Sequence, residues 1–214
     1  MMEKTAEQIR YDKLGETVAK ALRKRFFDAW YFDTKEAAVA QALSLIPEGT
    51  TISWGGSMSI VEVGLKDKIQ NGKYKLIDRD TAKTPEERIE IMRQALLADT
   101  FLMSANGISE DGQLFNVDGN GNRLAALLYG PKQVIVIAGV NKIAHTAADA
   151  LERARTIAAP TNISRFDVAT PCKITGACSD CTTAESQCAQ IVQTRICRPA
   201  GRIKVILVGT KLGY

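Results

Sequence analysis

Hydrophobic residues return with a helical period in several stretches of the chain. The first stripe, from Ile9 to Leu22, predicts an amphipathic helix over residues 5–29. A second helix is predicted to start near Asp33, where Glu36 stands in capping-box position, and to stop at Pro47. The other stretches with a helical pattern cover residues 59–69, 84–96, 122–129 and 147–160.

Short apolar runs alternate with these helices and predict strands. The clearest run, 133–138, is almost entirely β-branched and apolar, which is typical of a buried strand. Strands separated by helices form βαβ units, so we predict an α/β fold with a Rossmann-like, mainly parallel sheet and flanking helices. We expect a single domain over residues 1–214, with 160–200 an irregular, cysteine-rich elaboration. The predicted strands are 50–54, 74–77, 100–103, 114–117, 133–138 and 203–208.

The composition excludes several classes of protein. Hydrophobic residues make up 45 % of the chain and charged residues 24 %, which is typical of a globular protein rather than a disordered one. The net charge is only +4, and nucleic-acid binding needs a more concentrated basic face. No apolar run approaches the roughly 20 residues of a membrane helix, and the polar start of the chain does not resemble a secretory signal. We therefore expect a cytoplasmic protein with neither nucleic-acid nor membrane partners.

A glycine pair and two hydroxyls follow the predicted strand 50–54. Gly55 and Gly56 would let backbone N–H groups approach a ligand, and Ser57 and Ser59 open the next helix. Parallel sheets bind ligands beyond the carboxyl ends of their strands, so this loop is a candidate site for a phosphate or carboxylate. The alternative is an ordinary turn in which a serine caps the helix.

Two further loops combine glycine with polar side chains. Glu110 stands on a turn beside Gly112, where a carboxylate could act as nucleophile or general base; the alternative is a solvated turn residue. The stretch 117–123 is denser in glycine and polar groups than a connection needs, although a turn with a helix cap would also explain it. His145 is the only histidine, so a site with several histidine ligands is excluded, and we expect His145 to be structural or exposed.

All five cysteines lie in the last quarter of the chain, spaced C-x5-C-x2-C-x6-C-x8-C. Four thiolates could hold zinc or an iron–sulfur cluster, and Cys178-x-x-Cys181 is a usual half-site for either. The predicted metal ligands are Cys172, Cys178, Cys181 and Cys188, with Cys197 as a substitute. Two alternatives stay open: thiols without metal, and a redox disulfide favoured by Arg195 and Arg198 lowering the thiol pKa values.

Several of these segments together resemble the lactate-utilization (LUD) domain family. The resemblance rests on the loop 55–59, the Glu110-x-Gly112 turn, the stretch 118–123, and 129–132 with the strand after it and Gly139, Asn141 and Lys142 beyond. It covers nearly the whole chain. The family is similar in fold to ribose-5-phosphate isomerase, glucosamine-6-phosphate deaminase and the CoA-transferases. The resemblance implies ligand binding at the Gly-Gly-Ser loop and its neighbours, and a role beside iron–sulfur partner proteins in oxidising L-lactate to pyruvate.

The resemblance also implies which side chains share the site. We expect Glu110 to be its most functional carboxylate, with Asp118, Asn120 and Arg123 lining the same cleft. Arg123 would clamp a carboxylate or phosphate with two parallel hydrogen bonds. The stretch around Glu110 is also similar to the one that carries the catalytic glutamate of some CoA-transferases, although Asp111 replaces their asparagine.

Three hypotheses for the function follow. The first is a lactate-utilization-type protein that binds a small anionic hydroxy or oxo acid and works with iron–sulfur redox partners. The second is an enzyme of acyl or sugar-phosphate chemistry that uses Glu110. The third is a non-catalytic module whose cysteines respond to metal or oxidant. The sequence leaves open whether the chain is an enzyme and whether it forms a homodimer.

Overall fold

The computed structural model describes residues 4–214. Helices are interspersed with strands along the chain, as the alternating pattern predicts. The helices are α1 (Ala6–Lys24), α2 (Lys35–Ser44), α3 (Met58–Glu62), α4 (Leu65–Gln70), α5 (Pro85–Gln94), α6 (Asn122–Leu128), α7 (Ala147–Arg153), α8 (Ala159–Ile163) and α9 (Pro171–Thr175). The strands are β1 (Asp28–Phe32), β2 (Thr51–Trp54), β3 (Lys75–Ile77), β4 (Thr100–Met103), β5 (Gly107–Ser109), β6 (Leu114–Asp118), β7 (Gln133–Gly139), β8 (Ile143–Ala144), β9 (Gln190–Thr194) and β10 (Ile203–Val208).

Six strands form a parallel sheet in the order β1-β10-β7-β4-β2-β3. Successive side chains of a strand face opposite sides, so the sheet supports an apolar core on each face. Phe101 and Met103 of β4 join a core with α1 and α6, whereas Leu102 joins a second core with α2, α3 and α4. Helices therefore cover both faces, and the predicted α/β fold class is confirmed.

A smaller sheet, in the order β8-β5-β6-β9, combines β5 and β6, which follow β4, with β8, which follows β7, and β9, which precedes β10. The antiparallel pair of β5 and β6 is a hairpin, and β9 from the cysteine-rich segment pairs antiparallel with β6. Phe115 and Val117 pack there against Ala150 and Ala154. Within this sheet, the strand predicted over 114–117 is confirmed as β6. The pairing into a second sheet was not predicted, because β5 and β8 have only three and two residues and carry no clear periodicity.

Several predicted boundaries shift for identifiable reasons. The first helix was expected to reach residue 29, but it ends at Lys24, and the aromatic-rich segment Asp28–Phe32 pairs with β10 instead. The second helix is capped by Thr34, not by Asp33. Gly64, at φ +82°, divides the helix expected over 59–69. Pro160 was expected to end a helix, but it lies in the first turn of α8, where proline is tolerated.

The longest helix in the described part of the chain, α1, carries a charged outer surface. Its Thr5 cap donates and accepts as a capping box with Gln8. None of the helices within residues 4–214 combines the length and the apolar character that a membrane crossing requires.

Candidate functional site

The carboxyl ends of β2 and β4 define the position of the site. These strands are neighbours, with Trp54 opposite Leu102, so the loops that follow them start at the same level. The chain leaves β2 toward β3 on one side and leaves β4 toward β7 on the other. Loops that depart in opposite directions open a crevice between them, and α/β sheets bind ligands at such a switch point.

A cleft of about 420 Å³ lies in this position. Three arginines and a lysine line it against a single acidic side chain, Asp118. The cleft is therefore electropositive and suited to an anion. Its charged lining residues are Arg79, Arg88, Arg123, Lys142 and Asp118, and its predicted lining residues are Gly56, Ser57, Ser59, Asp118, Asn120 and Arg123.

The Gly-Gly-Ser loop contributes backbone more than hydroxyls to this cleft. Ser57 caps α3 by accepting from the Ile60 amide, and the Ser59 hydroxyl donates to the Leu212 carbonyl. Gly55 is buried and packs against Arg123 instead of lining the cleft. Since α3 has only five residues, its dipole is small, and the neighbouring cations supply most of the positive potential.

Arg79 follows the carboxyl end of β3 and directs its guanidinium at the Gly-Gly-Ser loop. A Cβ built on Gly56 would lie 2.8 Å from Arg79 Nη2. Arg79 Nη1 reaches Met92 Sδ at 3.8 Å, and Nε stays 4.0 Å from Asp80 Oδ1. No carboxylate of residues 4–214 forms a short ion pair with it, although only 20 % of the side chain is exposed. A cation covered in this way retains donors for a ligand.

Lys142 lies on the same cleft, in the turn after β7. The residue is 3 % exposed, and its Nζ donates to Ser104 Oγ at 3.0 Å and to the Ala105 carbonyl at 3.1 Å. Burial, together with the positive charges of Arg153 and Arg123, lowers the pKa of its amine to about 7. Near neutral pH a large fraction of this amine is therefore unprotonated.

The Arg123 guanidinium already donates hydrogen bonds to other groups of the protein. It could act as the predicted clamp on a ligand only by breaking those hydrogen bonds. Its Nη1 donates to Ser104 O and Asn116 Oδ1, and its Nη2 donates to Asn106 Oδ1 and Val117 O, over 2.6–3.1 Å. Arg123 thereby ties the loop after β4 to β6, and we interpret it as a residue that shapes the cleft wall.

The stretch after β6 combines a cap and a free amide, as its composition suggests. Asp118 accepts from the Leu124 amide at 3.2 Å, and its Oδ2 lies 3.8 Å from Arg123 Nε. Asn120 lines the cleft with an exposed side chain. The carboxylate of Asp118 thus orients α6 and holds Arg123, while Asn120 is available to a ligand.

Comparison with known proteins assigns the chain to a family. The family model for the LUD domain matches residues 15–208. The chain belongs to the LUD domain family. It is thus a lactate-utilization-type protein in the broad sense of that family. No curated protein gives a significant match to the chain.

A solved structure supports the fold of this chain. A DUF162 family protein from Deinococcus radiodurans superposes with a TM-score of 0.51 at 12 % identity, over 92 % of this chain and 98 % of that one. The eIF2B delta protein from Chaetomium thermophilum gives a TM-score of 0.34 at 17 % identity, over 56 % and 54 % of the two chains. The translation initiation factor eIF-2B from Pyrococcus horikoshii OT3 gives 0.36 at 17 %, over 55 % and 50 %. The last two are too dissimilar to bear on the site.

The structure does not bring Glu110 into this cleft of the LUD domain. Glu110 lies at the tip of the β5–β6 hairpin, where its Oε2 is 3.1 Å from His145 Nδ1. It borders an open groove of about 560 Å³ formed with α1. The hairpin carries the turn away from the carboxyl end of β4, so Glu110 and Asp118 lie on different surfaces. His145 is exposed, as expected, but it does have a partner.

Four of the five cysteines gather in one region. Burial, together with the neighbouring thiols of Cys178, Cys172 and Cys181, raises the pKa of the Cys188 thiol to about 11. This direction is opposite to the lowering expected for a redox disulfide. Cys197 is separate, because its Sγ packs in the main core and contacts the Pro199 carbonyl.

The arrangement of these thiols does not fit a metal site as it stands. Within residues 4–214, no three side chains of His, Cys, Asp or Glu are placed to hold a metal ion. The zinc or iron–sulfur hypothesis therefore stays a prediction, and it requires the cysteines of segment 172–188 to move closer together.

That prediction is tested by metal and sulfide content. Protein purified without oxygen should carry zinc or iron with labile sulfide in stoichiometric amount, and Cys181→Ser should lose it, because four thiolates are needed to close the site. Substoichiometric metal that Cys181→Ser does not lower would contradict the metal hypothesis.

Three charged residues of the cleft were missed as site residues: Arg88 on α5, and Arg79 and Lys142 in turns after strands. The latter two follow strands whose positions were predicted, β3 and β7, at their carboxyl ends. The rule that selected the Gly-Gly-Ser loop after β2 also selects these two turns. Lys142 was noted only as part of the family resemblance, and nothing in the local pattern marked Arg79.

Proposed function

We propose that this LUD protein binds a small hydroxy or oxo acid through its carboxylate in the cleft between β2 and β4, and takes part in oxidising such acids. The single observation that carries this proposal is the Arg79 guanidinium. It is largely covered, lacks a short ion pair within the described residues, and points at Gly56. Covering a cation whose paired carboxylate oxygen is as far away as 4.0 Å costs free energy, so the cation is explained best by a ligand.

The size and polarity of the cleft support a small ligand. A volume of about 420 Å³ is at the lower end of the range for small-molecule sites. Arg79 and Arg88 face the loop from one side, and Ser57 and Asn120 add neutral hydrogen-bonding groups. An acid of a few carbon atoms would fit within such a cleft with its carboxylate on the guanidinium and its hydroxyl or carbonyl oxygen on the neutral groups.

Oxidation of a hydroxy acid releases two electrons, which need an acceptor. We infer that iron–sulfur partner proteins accept them, as the family resemblance implies, and that this exchange takes place in the cytoplasm. The exposed position of Glu110 gives no support to the alternative of acyl or sugar-phosphate chemistry in this cleft. A homodimer stays a prediction.

Arg79→Gln tests the proposal directly. A hydrogen bond to a charged group contributes about 1.5–3 kcal/mol, so we expect the affinity for L-lactate and pyruvate to fall by about tenfold or more. The measurement is calorimetric titration at low salt, where exposed charges are least screened.

Arg93→Gln is the matched control. Arg93 lies on α5, is 73 % exposed, and pairs only with Glu90 on its own helix. Both variants remove one positive charge, so a general electrostatic effect would weaken binding equally in the two. Equal affinities of the parent and Arg79→Gln, or equal losses in both variants, would refute the proposed role of Arg79.

A further inference from the structure

Lys142 is a buried amine for which the fold offers no close counterion. Its residue is 3 % exposed, and the two groups that accept from Nζ are a hydroxyl and a backbone carbonyl. No carboxylate of residues 4–214 lies within ion-pairing distance of Nζ. Burying a lysine in this way is costly, and a purely structural role would be served by a neutral residue.

The charges around Lys142 favour its neutral form. Arg123 from α6 and Arg153 from α7 oppose its protonation, and among residues 4–214 the acidic group that favours it is Glu62 from α3. Arg153 also donates through Nε to the Asn141 carbonyl at 3.0 Å, which fixes the adjacent backbone. A desolvated lysine beside other cations is the arrangement in which an amine becomes a nucleophile at neutral pH.

We propose that the Lys142 amine attacks the carbonyl carbon of a 2-oxo acid bound in the cleft and forms an imine with it. This inference rests on the proposed function, since the oxo acid must bind there first. The inference restricts the reacting ligands to 2-oxo acids, because a hydroxy acid has no ketone carbonyl that the amine could attack.

The step needs no oxidant or reductant. The nitrogen lone pair forms the C–N bond, and the carbonyl oxygen receives the proton that the nitrogen gives up. The Ser104 hydroxyl, 3.0 Å from Nζ, is placed to pass on this proton. The carbinolamine then loses water as its C–O bond breaks, and hydrolysis reverses the sequence.

The test is trapping of pyruvate on the full chain with cyanoborohydride, read by intact mass and peptide mapping. We expect one reduced pyruvate per chain, attached to Lys142. L-lactate, which carries the same carboxylate without a carbonyl, should give no adduct. The rate of trapping should rise with pH and level off above about pH 7, where the amine has lost its proton, instead of near the ordinary lysine value.

Two variants control for position and folding. Lys142→Arg keeps the charge but cannot form an imine, and Lys73→Arg alters a lysine that is 82 % exposed. The adduct should disappear in the first variant and persist in the second. Mapping the adduct in the parent protein gives the same answer even if Lys142→Arg unfolds.

Failure of this inference is distinguishable from failure of the proposed function. If calorimetry shows that pyruvate binds but no adduct forms, or if the adduct maps to exposed lysines, the imine is refuted while the ligand site stands. If neither pyruvate nor L-lactate binds, both proposals fall.

Discussion

Arg123→Met should lower the free energy of unfolding by about 3–5 kcal/mol, because it leaves several partly buried acceptors without a donor. Four oxygens receive its N–H groups: Ser104 O, Asn116 Oδ1, Asn106 Oδ1 and Val117 O. They belong to the loop after β4 and to β6, so the loss would also separate the small sheet from the main one. The measurement is urea denaturation at neutral pH.

The control variants separate charge from geometry. Arg123→Lys keeps the charge but cannot reach four acceptors with one ammonium group, so it should recover only part of the loss. Arg93→Met, on an exposed position of α5, should change the stability by no more than about 0.5 kcal/mol. A small effect of Arg123→Met, equal to that of Arg93→Met, would contradict the structural role.

Gly56→Val should weaken binding of L-lactate and pyruvate by about 100-fold while the fold persists. Its Cβ would lie 2.8 Å from Arg79 Nη2, so the guanidinium must leave its position, and the valine methyl groups would occupy the space of the ligand. The loss corresponds to about 2.8 kcal/mol, about what a good charge-assisted hydrogen bond contributes. Gly56 is exposed and its φ is not positive, so stability should change little.

A double variant tests the cause of this loss. If Gly56→Val acts by displacing Arg79, adding Arg79→Gln should weaken binding by much less than the product of the two single effects. Multiplicative effects would mean that the two residues act independently, and the geometry proposed for the cleft would be wrong. Thermal unfolding of each variant checks that the fold is retained.

The sequence predicted the main sheet because its strands are short apolar runs with clear ends. The strand over 133–138 is buried on both faces. Such a strand is almost entirely apolar, and this continuous apolar composition distinguishes it from other short segments. The edge strand β1 was missed because its segment follows a helical stripe without a glycine or proline between them. Phe26, which adopts φ 65° there, is a turn signal that residue type alone does not show.

The candidate site was predicted from the loop at the carboxyl end of β2. Residues that follow other strands complete it in the folded protein. Gly56 lies beside the loop after β4 because β2 and β4 are neighbours, and Asp118 reaches the same cleft from the end of β6. Both placements are tertiary properties. The sequence placed Glu110 on a turn that suits a catalytic carboxylate. The hairpin that carries Glu110 away from the cleft depends on the pairing of β5 with β6, which the sequence did not show. The long ion pair of Arg79 with Asp80 and the burial of Lys142 are likewise visible only once the chain is folded.

The most direct test of the central claim is a crystal structure of the protein grown with pyruvate. We expect the carboxylate between the Arg79 guanidinium and the Gly56–Ser57 segment, with the carbonyl carbon toward Lys142. A pyruvate found in the groove beside Glu110, or a cleft without pyruvate while Arg79 turns to solvent, would contradict the account.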